Sequence, residues 1–249
     1  MLRRLLRRLP RTGNGVRIYA VGDIHGRDDL LARLHVAMGE DAAAHPTEAK
    51  RIVYLGDMID RGQDSRAVVD RLLESPIPGA ERIVLMGNHE ECLLSFLNDI
   101  AIGPAWFAFG GIATLQSYGV EPPGSMAAAD LVRVQRQLRA ALPERHYAFF
   151  RQLRLTHEEG DYLFVHAGIR PGIPLTAQSP EDLLWIREPF LGSEADFGKI
   201  VVHGHTIAAD PVIRPNRIGI DTGAFRTGKL TCLVLSGKTR HFLQAHEKQ

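Results

Sequence analysis

Cysteine is scarce in this sequence, and Cys92 and Cys232 are too few for a disulfide framework. We therefore expect a reducing, cytoplasmic setting and interpret both thiols as small core residues. No apolar run reaches the roughly 18 residues of a membrane-spanning helix, so stable insertion into a membrane is not expected. A large excess of one charge is also missing. The formal net charge of +1 argues against nucleic acid as a partner.

The N-terminus, residues 1–15, is predicted to be a basic extension that begins with alternating pairs of leucine and arginine. It lacks the apolar segment of a secretory signal peptide. An amphipathic helix here could make weak contact with an anionic membrane surface, although a frayed terminus is the simpler interpretation. Pro10 and the turn residues at 13–15 separate it from the remaining chain, which is expected to form a single domain over 16–249.

The first half of the chain repeats one unit, in which an apolar strand leads through a glycine-containing loop into a helix. The predicted strands lie at 16–21, 51–55 and 82–86, and the predicted helices at about 28–38, 65–74 and 90–98. Strands rich in β-branched residues that alternate with helices are typical of parallel sheets with βαβ crossovers. Ligands of such sheets bind at the carboxyl ends of the strands.

The pattern changes after residue 100. Residues from about 100 to 147 contain no convincing strand and are predicted to form a helical, cap-like insertion that faces the substrate. Within it, Ser125 could cap a helix at about 126–141 whose buried face carries Leu131, Val134 and Leu138. Later strands are expected at 151–156, 162–166, 199–202, 213–220, 230–235 and 239–243. These features predict an α/β (α+β) fold, with two mixed sheets packed together and helices on the outer faces.

Five short segments concentrate the polar residues that metal ions bind: GDIHG at 22–26, GDMIDRG at 56–62, GNHE at 87–90, HAG at 166–168 and HGHT at 203–206. Asp23 and His25 stand two residues apart on an extended segment and can hold one cation. Asp57 could reach the same metal ion and bridge to a second. The remaining ligands of the second metal ion would be Asn88, His166 and His205.

Two metal ions that share a carboxylate activate water as a hydroxide nucleophile and neutralise charge on a phosphoryl group. Arg61 and Arg187 could clamp the phosphate, because a guanidinium donates two parallel hydrogen bonds, although Arg187 could instead pair with Glu188. His89 could protonate the leaving group, with Asp60 orienting and charging its imidazole. The segments therefore predict a two-metal hydrolase of phosphate esters or anhydrides.

Four further histidines are not placed among the predicted metal ligands. His203 could be a ligand, a residue that supports a ligand, or a buried histidine at a strand end. We favour His205 as the ligand and place His203 behind it. His35, His45 and His246 are interpreted as solvated.

The five segments resemble those of the phosphoprotein phosphatase (PPP) family, within the calcineurin-like metallophosphoesterase superfamily, over about residues 18–231. The resemblance implies a four-layer αββα sandwich and a centre of two metal ions, with Mn favoured in vitro and Fe or Zn as alternatives. One implied ligand set is Asp23, His25 and Asp57, and the other is Asp57, Asn88, His166 and His205. The implied phosphate contacts are Arg61, Arg187 and Asn88, and the pair Asp60–His89 would serve the leaving group.

Two further segments, GGIATL at 110–115 and DTGA at 221–224, are similar to the bacterial and phage branch of that family. This branch includes serine/threonine phosphatases and is similar to symmetrical diadenosine tetraphosphatases. Where eukaryotic members have HGG, this chain has HAG, and their aromatic C-terminal loop is not recognisable near 221–225. Both differences put regulatory-subunit partners and toxin sensitivity in doubt.

The first-ranked expectation is hydrolysis of phosphoserine or phosphothreonine in protein or peptide substrates, with phosphotyrosine as a further substrate. The main alternative is a dinucleoside polyphosphate hydrolase like the symmetrical diadenosine tetraphosphatases. An anhydride has a better leaving group and needs an acid less, so the intact Asp60–His89 pair mildly favours monoesters. A non-catalytic scaffold is a minor alternative, because no predicted ligand is missing.

Overall fold

The structure, a computed structural model, describes residues 9–247. The membrane contact proposed for the basic extension therefore falls mainly on residues outside the described range. Within that range, no helix combines the length and the apolar character needed to cross a bilayer. Cys92 and Cys232 are buried and unpaired, as predicted.

The three predicted βα units are confirmed, with small shifts at their ends. They consist of β1 (Val16–Val21), α1 (Asp28–Ala43), β2 (Ala49–Tyr54), α2 (Ser65–Leu72), β3 (Glu81–Val84) and α3 (Asn88–Asn98). The three strands pair in parallel, so their carboxyl ends lie at one edge of the sheet. The loops that carry the first three polar segments therefore meet at that edge.

The chain from residue 100 to 151 contains helices and no strand, with an irregular segment at 118–127. It contains a 3₁₀ turn (Ile100–Ile102), α4 (Gly103–Trp106), a π-helical turn (Phe107–Gly111), α5 (Ile112–Ser117), α6 (Ala128–Ala141) and α7 (Glu144–Arg151). Leu131, Val134 and Leu138 are buried on α6, as their spacing predicts. The prediction that Ser125 caps this helix is wrong, because the N-cap residue is Ala127; the Ser125 hydroxyl accepts a hydrogen bond from the Ala127 amide, before the helix begins.

The remaining elements supply all five strands of the second sheet and two strands of the first. They are β4 (Thr156–Glu159), β5 (Tyr162–Val165), a 3₁₀ turn (Leu175–Ala177), α8 (Pro180–Trp185), β6 (Ile200–His203), β7 (Val212–Ile213), β8 (Arg217–Gly219), α9 (Ala224–Thr227), β9 (Lys229–Ser236) and β10 (Thr239–His246). One sheet has the order β10-β9-β1-β2-β3 and the other β4-β5-β6-β8-β7. Each contains parallel and antiparallel pairs.

The hydrophobic core divides the molecule into four layers, which confirms the predicted αββα sandwich of two mixed sheets. On β1, Ile18 and Ala20 face the second sheet, whereas Tyr19 and Val21 pack against the helices. This separation follows from the two-residue period of a strand, which sends successive side chains to opposite faces. A third cluster, which includes Leu183 of α8, covers the outer face of the second sheet.

The predicted strand at 151–156 is wrong. Residue 151 ends α7, and β4 begins only at Thr156. His146, Phe149 and Phe150 are buried on this helix at spacings of three and four residues, which is the helical period. Pro143 is the N-cap residue of this helix and has an extended backbone.

The structure differs from the predicted secondary structure at two other places, and both involve short elements. The strand predicted at 213–220 is divided into β7 and β8 because the chain turns at residues 214–217, where the Arg214 amide donates to the Arg217 carbonyl. Helix α8 was not predicted, although its start is marked in the sequence. Ser179 precedes Pro180, and the Ser179 hydroxyl accepts a hydrogen bond from the Asp182 amide.

The prediction that His35 is solvated is wrong. It lies on the buried stripe of α1, and its Nε2 is 2.8 Å from the Tyr54 hydroxyl. Burial lowers the pKa of His35 to about 4, so the ring is neutral and suits this apolar face. His45 is half-buried and His246 is exposed.

Candidate metal-binding and catalytic site

Five strand ends from both sheets converge on one group of polar side chains. The loop after β1 carries Asp23 and His25, and the loop after β2 carries Asp57. The other contributing residues follow β3, β5 and β6: Asn88, His166 and His205. All six predicted metal ligands are buried. Both sheets are therefore needed to assemble the site.

Asp57 stands at the centre of two clusters of possible ligand atoms. Its Oδ2 lies 3.5 Å from His25 Nε2 and 3.8 Å from His89 Nε2. Its Oδ1 lies 3.4 Å from His166 Nε2. The two clusters are His25, Asp57 and His89, and Asp57, His166 and His205, each with its ligand atoms within 4.8 Å of one another. One carboxylate that faces two clusters has the placement of a bridging ligand.

Asn88 belongs to the second cluster. Its Oδ1 lies 2.9 Å from His166 Nε2 and 3.0 Å from His205 Nδ1. The other ring nitrogen of His166 lies 2.9 Å from the Leu55 carbonyl, which fixes the direction of the imidazole. The amide oxygen and the two imidazoles thus point into a common space, as the ligand prediction requires.

Asp23 lies slightly apart from the first cluster. Its Oδ2 accepts a hydrogen bond of 3.0 Å from the His205 amide, which joins the first and last polar segments. Its Oδ1 is buried and has no hydrogen-bond partner among the described residues. Gly204 permits this approach, because a Cβ at that position would lie 2.0 Å from Asp23 Oδ1. The first cluster contains His89 beside His25 and Asp57, and the role of Asp23 as a ligand stays a prediction.

The electrostatics of the site favour a bound cation. Burial lowers the pKa of His25 and of His205 to about 3, so both rings are neutral, which is the form that binds metal ions. The surrounding imidazoles hold the pKa of Asp57 well below its usual range, although burial opposes this. Burial and the charges of Asp221 and Asp57 raise the pKa of Asp23. A positive ion would relieve the repulsion among these carboxylates.

The donor set fits a pair of transition-metal ions. It combines imidazole, carboxylate and amide oxygen ligands, which suit Mn, Fe or Zn. His205 Nε2, like Asp23 Oδ1, is buried without a hydrogen-bond partner in the described part of the chain. Buried polar atoms normally have partners, so a bound ion next to Asp23 Oδ1 would account for one of these two.

The backbone of the site is strained. Among residues 9–247, every non-glycine residue with positive φ is a predicted site residue: His25 (48°), Asp57 (50°), Asp60 (70°), Arg61 (68°) and His205 (61°). A left-handed conformation costs an L-residue roughly 1–2 kcal/mol. Such strain persists where the surrounding structure enforces it, and it concentrates at functional sites.

The predicted Asp60–His89 pair is present. His89 Nδ1 lies 2.6 Å from Asp60 Oδ2, and both residues are buried. Trp106 Nε1 donates to the same carboxylate oxygen at 2.8 Å, and the Thr114 hydroxyl donates to the other. The helical segment after residue 100 therefore holds Asp60, which in turn directs His89 Nε2 towards Asp57. Sequence reasoning missed Trp106 and Thr114.

The two predicted phosphate-binding arginines lie at the mouth of the site. Arg61 Nη2 is 3.2 Å from His89 Nε2, and the guanidinium lies 4.7 Å from the ring centroid of Phe225. Arg187 is exposed, and its Nη2 donates to the His205 carbonyl at 3.4 Å. Both cations are thus placed beside the clusters, and their binding of phosphate stays a prediction.

His203 does not join either cluster. Its ring packs edge-on against Phe190, with centroids 5.1 Å apart, and its Nδ1 lies 3.1 Å from the Gly204 carbonyl. Burial lowers the pKa of His203 to about 4. These contacts favour the interpretation of a buried histidine at a strand end.

Sequence reasoning also missed Glu90, which joins two of the polar segments. This carboxylate is fully buried and accepts four backbone N–H hydrogen bonds, donated by Gly87, Asp57, Met58 and Ile59. It therefore fixes the loop that carries the bridging residue Asp57. The sequence signal was the position of Glu90 directly after Asn88 and His89, where a helix N-terminus favours an acid.

Replacing Glu90 with glutamine should weaken metal binding by about 10- to 100-fold, as for residues that orient metal ligands. The amide nitrogen of glutamine cannot accept the hydrogen bonds that one carboxylate oxygen accepts, so the Asp57 loop would shift. Titration of metal-free protein with Mn²⁺ measures the effect. Glu40→Gln, on the exposed side of α1, is the matched control. An unchanged affinity in Glu90→Gln would contradict the positioning role.

This chain is similar to known proteins over most of its length. The family model described as "Calcineurin-like phosphoesterase" matches residues 16–226. The asymmetrical bis(5'-nucleosyl)-tetraphosphatase PrpE of Bacillus cereus (strain B4264) is 25% identical over 234 residues, covering 86% of this chain and 88% of that protein. A symmetrical bis(5'-nucleosyl)-tetraphosphatase of Dechloromonas aromatica (strain RCB) is 33% identical over 153 residues, covering 61% of this chain and 44% of that protein.

A solved structure shows the same fold. The crystal structure of a putative diadenosine tetraphosphatase aligns with a TM-score of 0.64 and covers 93% of this chain and 95% of that chain. The sequence identity is 21%, so this likeness supports the architecture alone.

Proposed function

The chain belongs to the calcineurin-like phosphoesterase family, and we propose that it is a metal-dependent hydrolase of dinucleoside polyphosphates, with diadenosine tetraphosphate as the test substrate. The observation that carries the hydrolytic part is the carboxylate of Asp57, which faces two clusters of metal-ligand atoms. The names of the relatives support the dinucleotide substrate. The sequence-based order of substrates is therefore reversed, and the dinucleotide alternative comes before phosphoproteins.

The proposed reaction is attack of water on a phosphorus atom of the polyphosphate chain. A P–O bond forms to the water oxygen, the anhydride P–O bond breaks, and the leaving nucleotide departs with the bonding electron pair. Metal ions bound at the two clusters would activate the water and neutralise charge on the phosphoryl oxygens. Arg61 and Arg187 would bind the remaining phosphoryl oxygens. Asp60 would hold His89 so that its Nε2 can deliver a proton to the leaving oxygen.

A phosphomonoesterase that acts on phosphorylated proteins or peptides is the second candidate. The observation that favours it is the fixed Asp60–His89 pair. Asp60 is held by hydrogen bonds from Trp106 and Thr114. A preorganised acid contributes most when the leaving group is a poor one, such as the serine alkoxide of a phosphopeptide. Both candidates use the same metal clusters.

The deciding experiment compares initial rates on diadenosine tetraphosphate, a phosphoserine peptide and a phosphotyrosine peptide, with Mn²⁺ present. We expect kcat/KM for the dinucleotide to exceed that for either peptide by at least about tenfold. Chromatography of the products identifies the bond cleaved, since two ADP indicate symmetrical cleavage and ATP with AMP indicates asymmetrical cleavage. A preference for a phosphopeptide would overturn the dinucleotide proposal.

Metal dependence is tested in the same assay. Prior treatment with a chelator should abolish turnover of every substrate, and added Mn²⁺ should restore it. Zn²⁺ and Fe²⁺ are then added separately to the chelator-treated protein, and the ions are ranked by the activity that each restores. Full activity in a preparation shown by elemental analysis to be free of metal would contradict the metal-dependent mechanism.

A further inference from the structure

Phe109 is a large apolar side chain that remains exposed beside the site, with 43% of its surface accessible. It lies in the π-helical turn that follows α4. Its ring centroid is 6.4 Å from that of His89 and 5.8 Å from that of Trp185. Trp185 in turn lies 6.4 Å from His205, so the two aromatic rings extend along the mouth from one cluster to the other. We call Phe109 and Trp185 the aromatic platform.

The platform is fixed from the side of Phe109. The Phe109 carbonyl accepts a hydrogen bond from Arg61 Nε at 3.4 Å, and the Gly110 carbonyl accepts one from the Arg61 amide at 3.2 Å. Gly110 has a φ of 115°, and a Cβ there would lie 2.8 Å from Arg61 Cγ. Only glycine lets this turn approach the arginine so closely.

The platform is also fixed from the side of Trp185. Its Nε1 donates to Glu91 Oε2 at 2.6 Å, and Glu91 lies on α3 next to Glu90. The backbone of Phe109 and the ring of Trp185 are therefore held by residues that adjoin the candidate catalytic groups. A surface that is ordered before its ligand arrives loses little conformational entropy on binding.

The charges around the platform restrict the ligand that it can take. Arg61 adjoins it through the two carbonyl contacts, and Arg187 follows Trp185 by two residues and is exposed. Flat apolar rings next to two guanidinium groups match a ligand that joins an aromatic ring to several phosphates. Nucleotides have this combination, with the base and the phosphates separated by a ribose.

We propose that Phe109, backed by Trp185, stacks on the base of the nucleotide whose phosphates enter the metal clusters. The inference deepens the proposed function and rests on it for the identity of the substrate. Stacking on an aromatic ring tolerates different bases, because each base has a π-face. The platform would therefore select nucleotides over inorganic phosphates and accept several bases.

The experiment compares two inhibitors that share a diphosphate and differ in the nucleoside. ADP and inorganic pyrophosphate are tested for competitive inhibition of p-nitrophenyl phosphate hydrolysis, and selectivity is the Ki of pyrophosphate divided by the Ki of ADP. In Phe109→Ala we expect the selectivity to fall about tenfold, the range found for loss of one stacked base. Phe109→Trp should retain it.

Two control variants test whether the selectivity depends on the π-face of Phe109 or only on its apolar surface. Phe109→Leu keeps an apolar side chain without a π-face, so its selectivity should fall as in the alanine variant. Val132→Ala removes apolar surface from an exposed position on α6 and should leave the selectivity unchanged. Equal Ki values for ADP and pyrophosphate in the wild type would overturn the inference. So would wild-type selectivity in Phe109→Ala or Phe109→Leu.

This test is separate from that of the proposed function. A protein that binds ADP selectively through Phe109 but does not hydrolyse diadenosine tetraphosphate would overturn the proposed substrate and leave the stacking site standing. Hydrolysis of the dinucleotide with unchanged selectivity in Phe109→Ala would overturn the stacking site and leave the proposed substrate standing.

Discussion

Replacing Asp57 with asparagine should lower kcat/KM by at least about 10³-fold for every substrate, because both clusters lose a charged ligand at once. Asparagine has nearly the same shape, so the fold should persist. The expected signature is therefore a folded protein with a strongly reduced metal content. Elemental analysis and steady-state kinetics on the same preparation measure both quantities.

The matched control is Asp64→Asn, which makes the same chemical change at an exposed position close to Asp57 in sequence. It should retain wild-type metal content and activity. If Asp57→Asn kept both metal ions and lost less than about tenfold in activity, the bridging role would be wrong. Circular dichroism of both variants separates a loss of ligand from a loss of fold.

Replacing His89 with asparagine should slow alkyl phosphates by about 10²- to 10⁴-fold, the range of general acid catalysis. Aryl phosphates and phosphoanhydrides have better leaving groups, so their rates should fall much less. A series of monoesters with leaving groups of increasing pKa measures the difference as a steeper dependence of log kcat/KM on that pKa. His246→Asn, at an exposed position on β10, is the control.

The same residue predicts a pH dependence. Burial opposes the charged imidazole, but the charges of Asp57 and Asp60 raise the pKa of His89 above its usual value. The protonated acid is therefore lost only as the pH rises through this raised pKa. Alkyl phosphate turnover should show a basic limb in the wild type that disappears in His89→Asn. Equal slowing of alkyl and aryl phosphates would remove His89 from the acid role.

Much of the fold was predictable because the strands and helices have clear hydrophobic periods. The alternation of Ile18 and Ala20 with Tyr19 and Val21 indicates a strand buried on both sides, and the structure shows it between two core clusters. The predicted hairpin strand begins at Arg151, which is the last residue of helix α7. Its buried His146 was not recognised as a core position.

The candidate site was predictable for a related reason. Ligands such as Asp23 and Asp57 directly follow strands whose carboxyl ends must meet at one edge of a parallel sheet. The contacts that hold the site were not predictable. Trp106 and Thr114 bond Asp60 across sequence separations of 46 and 54 residues, and nothing in their local pattern marks them. Such contacts depend on how the helical segment packs against α2 and α3.

The exact composition of each cluster was also beyond the sequence. Spacing groups Asp23 with His25, because the two side chains share one extended segment. In the structure His25 has a left-handed backbone, which breaks that alternation, and His89 is closer to the cluster. Asp23 instead accepts a hydrogen bond from the His205 amide.

The sequence by itself determined which types of metal-binding side chain follow the strands, because residue type and position after a strand are local properties of the chain. It determined the layered architecture for the same reason, through the periods of apolar residues. Only the tertiary structure decided that Asp57 faces both clusters, that the helical segment holds Asp60, and that Phe109 remains exposed beside them. Those relations join residues far apart in the chain, and packing alone sets the distances between them.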